Sequence, residues 1–347
     1  MEIENQEEIL TMDRSSSATL EFPIQSIAVR PRMSDILFSL AEKDFANFGV
    51  VPSNIRAVES AIRFSAGINP FVAIIGPSGW GKSHLLSAAA DQMCRDGSCG
   101  FVQVISAQDW VASNRVRTMS GPLILDNAQE LIQKSRSRNQ FQIMLERRLK
   151  GAKPTLLSFT DVKVTRAIRQ ALPNSRDWVV ATIKAAPVEE RQKIVLQLGK
   201  RENVDLSATL AKILSSRLEG NGRTILGAIK RLRLAPTDGS SSESVLQACG
   251  ILNPFFSSNS GWDLREHIAE KAKQLQPSDW GNVVPFDLAI YVMLKVALLG
   301  EADVAKFFRI EQRKAYAFAT RFSEKVQTEP LIRQIADDFV QSIVADL

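Results

Sequence analysis

Phe71-Val72-Ala73-Ile74-Ile75-Gly76-Pro77-Ser78-Gly79-Trp80-Gly81-Lys82-Ser83-His84-Leu85-Leu86 decides the fold. A short apolar run, Phe71 to Ile75, has the length and character of a buried parallel strand. It leads into G-x-x-x-x-G-K-[ST], Gly76 to Ser83, and then into a helical stretch from Ser83 to Cys94. Strand, glycine loop and helix in that order suit phosphate binding. The glycines let backbone N–H groups curl around phosphate oxygens, and the helix N-terminus adds partial positive charge. Gly76, Pro77, Ser78, Gly79, Trp80, Gly81, Lys82, Ser83 and His84 are therefore the candidate cofactor-binding residues. Lys82 is expected to reach the β- and γ-phosphates, and Ser83 to hold Mg²⁺.

Outward from this loop, apolar runs recur at Phe101 to Ile105, Leu123 to Leu125, Thr155 to Phe159 and Val179 to Ile183. Helical stretches such as Asn139 to Leu149 lie between them. The alternation predicts an α/β domain with a parallel sheet. Leu123-Ile124-Leu125 ends in Asp126, which supplies at a strand end the partner acid expected to bind Mg²⁺ through water. After Pro187 the strand-like runs stop. Glu189 to Gly199, Ser207 to Leu218 and Arg223 to Leu234 read as helices. Asn221-Gly222 separates the last two, with the glycine read as a helix C-terminus. A Ser/Gly/Asp-rich linker at Pro236 to Ser242 precedes a short helix around Glu243 to Ile251. A polar break at Ser257 to Gly261 suggests a boundary. The expected organisation is an N-terminal arm (1–40), a nucleotide α/β domain (41–187), a helical lid (188–256) and an all-helical C-terminal domain (262–347).

The chain of 347 residues is 45% hydrophobic and 23% charged, the composition of a soluble globular protein. It has no apolar stretch long enough for a membrane span, and its first eight residues are acidic rather than leader-like. Cys94, Cys99 and Cys249, with two histidines, suggest neither a disulfide framework nor a zinc site. A cytoplasmic protein that does not engage membranes is the expectation. The net charge of +5 is mild for a polyanion binder. It is unevenly spread, with an acidic first 45 residues and a Lys/Arg-rich stretch from Lys163 to Arg233.

These motifs resemble the DnaA/Hda family of AAA+ replication initiators and regulators. The resemblance runs from about residue 44 to 255. It rests on Asp44-Phe45-Ala46-Asn47-Phe48, on Asn69-Pro70-Phe71 entering the phosphate loop, on Ser83-His84-Leu85-Leu86, and on Asn221-Gly222-Arg223. It implies a five-stranded parallel AAA+ sheet, a helical lid, and bound ATP or ADP with Mg²⁺. Arg223 matches the sensor 2 arginine that reads the γ-phosphate, and Thr160-Asp161 falls where sensor 1 lies. Ser175-Arg176-Asp177-Trp178 resembles the segment with the arginine finger, so Arg176 would reach a neighbouring subunit's nucleotide. Asp126 and Asn127 complete the catalytic set with Arg176. AAA+ ATPases usually carry a second acid after the first. Asn127 cannot accept a proton from water, which implies slow or absent hydrolysis unless another carboxylate such as Glu130 substitutes.

Ala107 to Gly121 is short for the helical insertion that DnaA initiators carry, and Asn127 departs from their two acids. Both departures resemble Hda, the DnaA-related regulator. Hda begins with a sliding-clamp peptide, and Ala18 to Ile24 is similar, with Thr19 where that peptide has glutamine. The C-terminal helices resemble the DnaA DNA-binding domain of helix-turn-helix type. Asp303 to Phe308 would be its first helix and Glu311 to Ser323 the recognition helix. Arg313, Lys314 and Arg321 are its candidate contacts to double-stranded DNA. Gln312-Arg313-Lys314 replaces the family's box-reading signature, and Ser278 to Pro285 lacks its basic loop. Two readings stay open, beside a third of an independently active ATPase. One is a DNA-binding initiator-like protein capable of nucleotide-dependent self-assembly. The other is an Hda-like regulator that binds DnaA or the sliding clamp and not DNA.

Overall fold

The computed structural model describes residues 43–97, 101–112, 121–133, 135–160, 165–234, 240–275 and 283–347. The N-terminal arm, Cys99, Asp161 and most of Ala107 to Gly121 lie outside the described residues. Helix α1 (Ile55–Ser65) leads to β1 (Phe71–Gly76), which continues through the glycine loop into α2 (Lys82–Arg95). Next come β2 (Gln103–Ser106), α3 (Ala107–Ala112), β3 (Leu123–Asp126), α4 (Gln129–Gln133), α5 (Ser135–Lys150), β4 (Thr155–Thr160), α6 (Thr165–Ala171) and β5 (Val179–Thr182). The strands form one parallel sheet in the order β2-β3-β4-β1-β5.

Every residue of β1 is buried, as a parallel strand covered on both faces requires. Side chains alternate across the sheet. Phe71, Ala73, Ile75, Leu123, Leu125, Leu157 and Phe159 pack on one face against Phe141 and Leu145 of α5 and Ile168 of α6. Val72, Ile74, Ile124 and Leu156 pack on the other, against Phe64 of α1 and Leu85 and Leu86 of α2. The result is a three-layer sandwich. Truncating Ile74 or Leu125 to alanine costs about 2–5 kcal/mol each by the behaviour of such core sites. Arg148 closes one end of this layer. It is buried, and its guanidinium donates to Thr155 Oγ1 and to the carbonyls of Gly121 and Pro154.

Some element limits differ from the sequence reading in instructive ways. Strand β2 starts at Gln103, because pairing with β3 begins at Gln103 opposite Leu123; Phe101 is exposed and outside the ladder. Asn221-Gly222 opens a helix rather than closing one. Asn221 is extended at the N-cap, and its side-chain oxygen accepts from the N–H groups of Arg223 and Thr224.

Beyond the sheet lie α7 (Val188–Arg201), α8 (Ala208–Arg217), α9 (Gly222–Leu232) and α10 (Ser242–Ser260). They are followed by α11 (Leu264–Lys273), α12 (Pro285–Tyr291), a π-helical turn (Val292–Val296), α13 (Glu301–Phe308), α14 (Gln312–Thr328) and α15 (Pro330–Ala345). The expected short helix at 243–251 is the first half of the 19-residue α10. It runs through the Ser257 to Gly261 break and stops at Gly261, whose positive φ suits a C-cap. One apolar cluster joins all of these helices, from Val195 and Leu214 through Leu246, Leu252 and Phe256 to Met293, Phe339 and Ile343.

Candidate functional site

In parallel α/β sheets, ligands bind in the crevice outside the carboxyl ends of the strands. That is where the chemistry-bearing residues gather. β1 ends at Gly76, paired with Thr160 at the end of β4. Register also sets Leu125 beside Leu157, which brings Asp126 next to Ser158. Gly79 and Gly81 have φ of 79° and 94°, the left-handed region that lets the loop turn back on itself. Gly81 is the N-cap of α2, so Lys82 and Ser83 are its first two residues.

Lys82 is buried, and its Nζ donates to the carbonyls of Gly76 and Pro77, both at 2.8 Å. Desolvation by burial pushes its pKa down to about 8; Asp126 works against that shift and Arg223 adds to it. Ser83 Oγ donates to Asp126 Oδ2 at 2.6 Å. The carboxylate's other oxygen, Oδ1, accepts from the Ser158 hydroxyl and from the N–H of Asn127. A loop of N–H donors, an ammonium, a hydroxyl and a carboxylate thus converge at one mouth. This donor set fits a magnesium-bound phosphate, with Ser83 and Asp126 on the metal side and Lys82 on the phosphate side. Among the described residues no cluster of three or more His, Cys, Asp or Glu side chains forms a separate metal site.

Asn127 sits in the left-handed region at φ 58°, which asparagine tolerates better than most residues. Its side-chain oxygen accepts from Thr160 Oγ1 at 3.3 Å. Thr160 is held in turn, its N–H donating to Gln129 Oε1 at 2.9 Å. Glu130 is engaged by Gln108 Nε2 at 3.4 Å.

His84 is not directed at the loop's mouth. Its Nε2 pairs with the Asp44 carbonyl at 2.8 Å, and its ring meets Phe48 edge to face. Burial lowers its pKa. The role of His84 is to fasten residues 44–48 against α2, where Phe48 also packs beneath Gly81. The same segment reaches the lid. Gln197 donates to the Ala46 carbonyl, and the Ser53 N–H donates to Glu190 Oε2.

The lid meets the loop directly. A Cβ on Gly79 would fall 2.3 Å from Asn221 Cγ, so only glycine allows this approach. Asn221 caps α9, and Arg223, exposed in its first turn, is close enough to bear on Lys82. Arg176 lies elsewhere. It is exposed in the turn Ser175–Asp177 just before β5, at the end of the sheet opposite Gly76. The cavity lined by Pro70, Phe71, Lys150, Asn174 and Asp177 opens beside it, away from the phosphate loop.

No protein-family model matches the chain. It is 24% identical over 228 residues to the chromosomal replication initiator protein DnaA of Lactococcus lactis subsp. cremoris (strain MG1363), covering 60% of this chain and 50% of that protein. It is 23% identical over 191 residues to DnaA of Dechloromonas aromatica (strain RCB), covering 51% and 41%. Domain III of Thermotoga maritima DnaA superposes with a TM-score of 0.51 at 19% identity, over 62% of this chain and 97% of that one. The chain is thus similar to DnaA over part of its length and shares the fold of DnaA domain III. It spans about half the length of the curated DnaA relatives it matches. A replication initiator DnaA solved with AMPPCP and single-stranded DNA shares the fold with a TM-score of 0.50 at 18% identity. It covers 87% of this chain and 98% of its own, so the DnaA-like fold extends into the C-terminal helices.

In those helices, α13 and α14 are joined by the short turn Arg309–Glu311, with Arg309 at φ 56°. Arg313, Lys314 and Arg321 are all exposed on α14. Acids lie among them. Lys314 is 3.7 Å from Glu311, Gln312 donates to Glu301, and Asp287 feels both Arg321 and Lys325. Burial raises the Asp287 pKa, and those two cations oppose the rise.

Sequence reasoning missed Ser158 and Asn221 as parts of the site. Ser158 carried one signal, a lone hydroxyl in the apolar run Thr155 to Phe159, since a buried polar group needs a partner.

Proposed function

We propose that this protein binds ATP or ADP with Mg²⁺ and acts in initiation or regulation of chromosomal DNA replication, with slow or no hydrolysis. The observation that carries the reading is the convergence of Lys82, Ser83 and Asp126 on one loop, with Arg223 of the lid close to Lys82. Gly76 to Gly81 cradle the phosphates, and Lys82 neutralises them. Ser83 and Asp126 hold the metal, which supplies charge for the triphosphate when bound. Arg223 closes the lid over the nucleotide. The nucleotide then biases the angle between sheet and lid, because it touches both. Asn127 cannot take a proton from water, which supports slow turnover. Arg176, at the far end of the sheet, acts on the nucleotide of a neighbouring copy or of DnaA. The protein is cytoplasmic in this reading; among the described residues no helix is long and apolar enough to cross a membrane.

The α13–turn–α14 unit acts as a helix-turn-helix on double-stranded DNA, with Arg313, Lys314 and Arg321 as contacts. The acids beside these cations favour a second reading, in which the protein is an Hda-like regulator that binds DnaA or the sliding clamp rather than DNA. Fluorescence anisotropy of labelled origin and scrambled duplexes, with Mg²⁺–ATP or Mg²⁺–ADP and at several salt concentrations, separates the two. Tighter origin binding supports the DNA reader. No binding at moderate salt supports the regulator. Loss of nucleotide binding in Lys82→Ala supports the site itself, and unchanged affinity there overturns it.

A further inference from the structure

We infer that Ser158 is a positioning residue that sets the orientation of the Asp126 carboxylate for metal-bound nucleotide. The inference rests on the nucleotide reading above and assigns a function to a residue that the motifs pass over. Ser158 lies in the middle of β4 and is fully buried. Its hydroxyl hydrogen goes to Asp126 Oδ1, while its oxygen accepts the N–H of Asn127 at 3.0 Å. Its carbonyl accepts the N–H of Ala128 at 2.8 Å. One serine therefore holds the side chain of Asp126, the left-handed turn at Asn127 and the start of the segment into α4.

The consequence is a division of labour within one carboxylate. Oδ1 is occupied by Ser158 and by the Asn127 N–H, so it is turned into the protein. Oδ2 faces Ser83, the side from which a metal would be held. A carboxylate without the Ser158 bond can rotate about its Cβ–Cγ axis, and each approach to a metal then costs the ordering of that rotor. Removing the hydroxyl also leaves the N–H of Asn127 with a single acceptor. Charge-assisted bonds of this kind are the stronger ones, so the effect on metal-dependent binding is large enough to measure.

The test compares Ser158→Thr with Ser158→Val, two variants of equal shape that differ in one hydroxyl. Ser158→Ala is the third variant. ADP is titrated calorimetrically into each, once with Mg²⁺ and once with EDTA, and a thermal melt confirms that each is folded. The expected result is that Mg²⁺ tightens ADP binding in the wild type and in Ser158→Thr. In Ser158→Val and Ser158→Ala that gain shrinks by about tenfold, while affinity in EDTA stays within about twofold. Equal gains in the Thr and Val variants overturn the proposal alone. Equal loss with and without Mg²⁺ also overturns it, since it marks a general structural role. A folded wild type that binds no ADP in either condition overturns the nucleotide reading, and the Ser158 proposal with it.

Discussion

Lys82 Nζ donates to the carbonyl of Gly76, the first residue of the loop that Lys82 itself closes. Burial has lowered its pKa to about 8. Two pH dependences of opposite sign follow. Phosphate binding favours the charged form, so ADP affinity should be flat below pH 8 and fall above it, by at most about tenfold per pH unit. The unliganded fold behaves the other way. Between about 8 and the ordinary lysine value of 10.5, the unfolded chain binds the proton that the folded chain has released. Lys82 therefore contributes rising stability with pH across that window. Calorimetric titration of ADP from pH 6.5 to 9.5 checks the first claim; affinity that stays constant through pH 9 counts against it.

In the proposed function Asn127 stands where a second acid would serve catalysis, and an amide cannot do that chemistry. It has the left-handed backbone, the contact with Thr160 and the place directly after Asp126. Asn127→Asp preserves the shape and restores an oxygen that can accept a proton. The bond from Thr160 Oγ1 survives, because it needs only an acceptor. ATP turnover under single-turnover conditions should rise by about 10²-fold, the low end for a positioned general base. Rapid turnover by the unmodified protein would show that Glu130 or another group already serves, and would remove the reason for the change.

What was legible in the sequence, and what was not, follows from the range of each signal. The phosphate loop is one continuous stretch, so strand, glycines and helix could all be read together. Asp126 was legible because it ends an apolar run. Ser158 was not, because its meaning depends on β3 and β4 lying side by side, 32 residues apart in the chain. In the sequence Asn221-Gly222 reads as a stop, because glycine favours helix ends. The structure uses Asn221 as a cap, a case where the side-chain acceptor outweighs the flexible neighbour. Helix α10 hid its second half behind Pro254 and a run of serines, residues that local propensity scores against. Tertiary burial of Leu252 and Phe256 decides it.

Arg223 and Arg176 should separate cleanly in binding experiments. Arg223 lies near Lys82, and Arg176 lies at the other end of the sheet. Arg223→Ala should weaken ATP more than ADP, since the proposed role of Arg223 is to read the γ-phosphate. It should also move the pH break of ADP binding upward, because Arg223 is one of the groups that lower the Lys82 pKa. Arg176→Ala should leave both affinities within about twofold for the isolated chain. Loss of ADP binding in Arg176→Ala would place that arginine at the chain's own nucleotide and contradict a role in trans.

Gly250 offers a test of the packing between α10 and the C-terminal helices. In the interior of a helix, Gly→Ala normally stabilises by about 1 kcal/mol through backbone entropy and propensity. Here a Cβ on Gly250 would lie 1.8 Å from the carbonyl oxygen of Ala297, just after the π-helical turn. That neighbour is backbone, and the segment carrying it is packed through Val292, Met293 and Val296 into the same apolar cluster as α10. It has no side-chain rotamer with which to yield. The steric term therefore reverses the sign of the propensity term, and Gly250→Ala should destabilise by about 2 kcal/mol or more, as overpacking does. Urea unfolding measures it. A midpoint at or above that of the wild type would count against a steric clash between this Cβ and the Ala297 carbonyl. Gly67→Ala serves as the comparison. Its φ of 72° strains a side chain, but nothing lies within 4 Å of the added Cβ. Its cost should stay near 1–2 kcal/mol, the ordinary price of a left-handed residue.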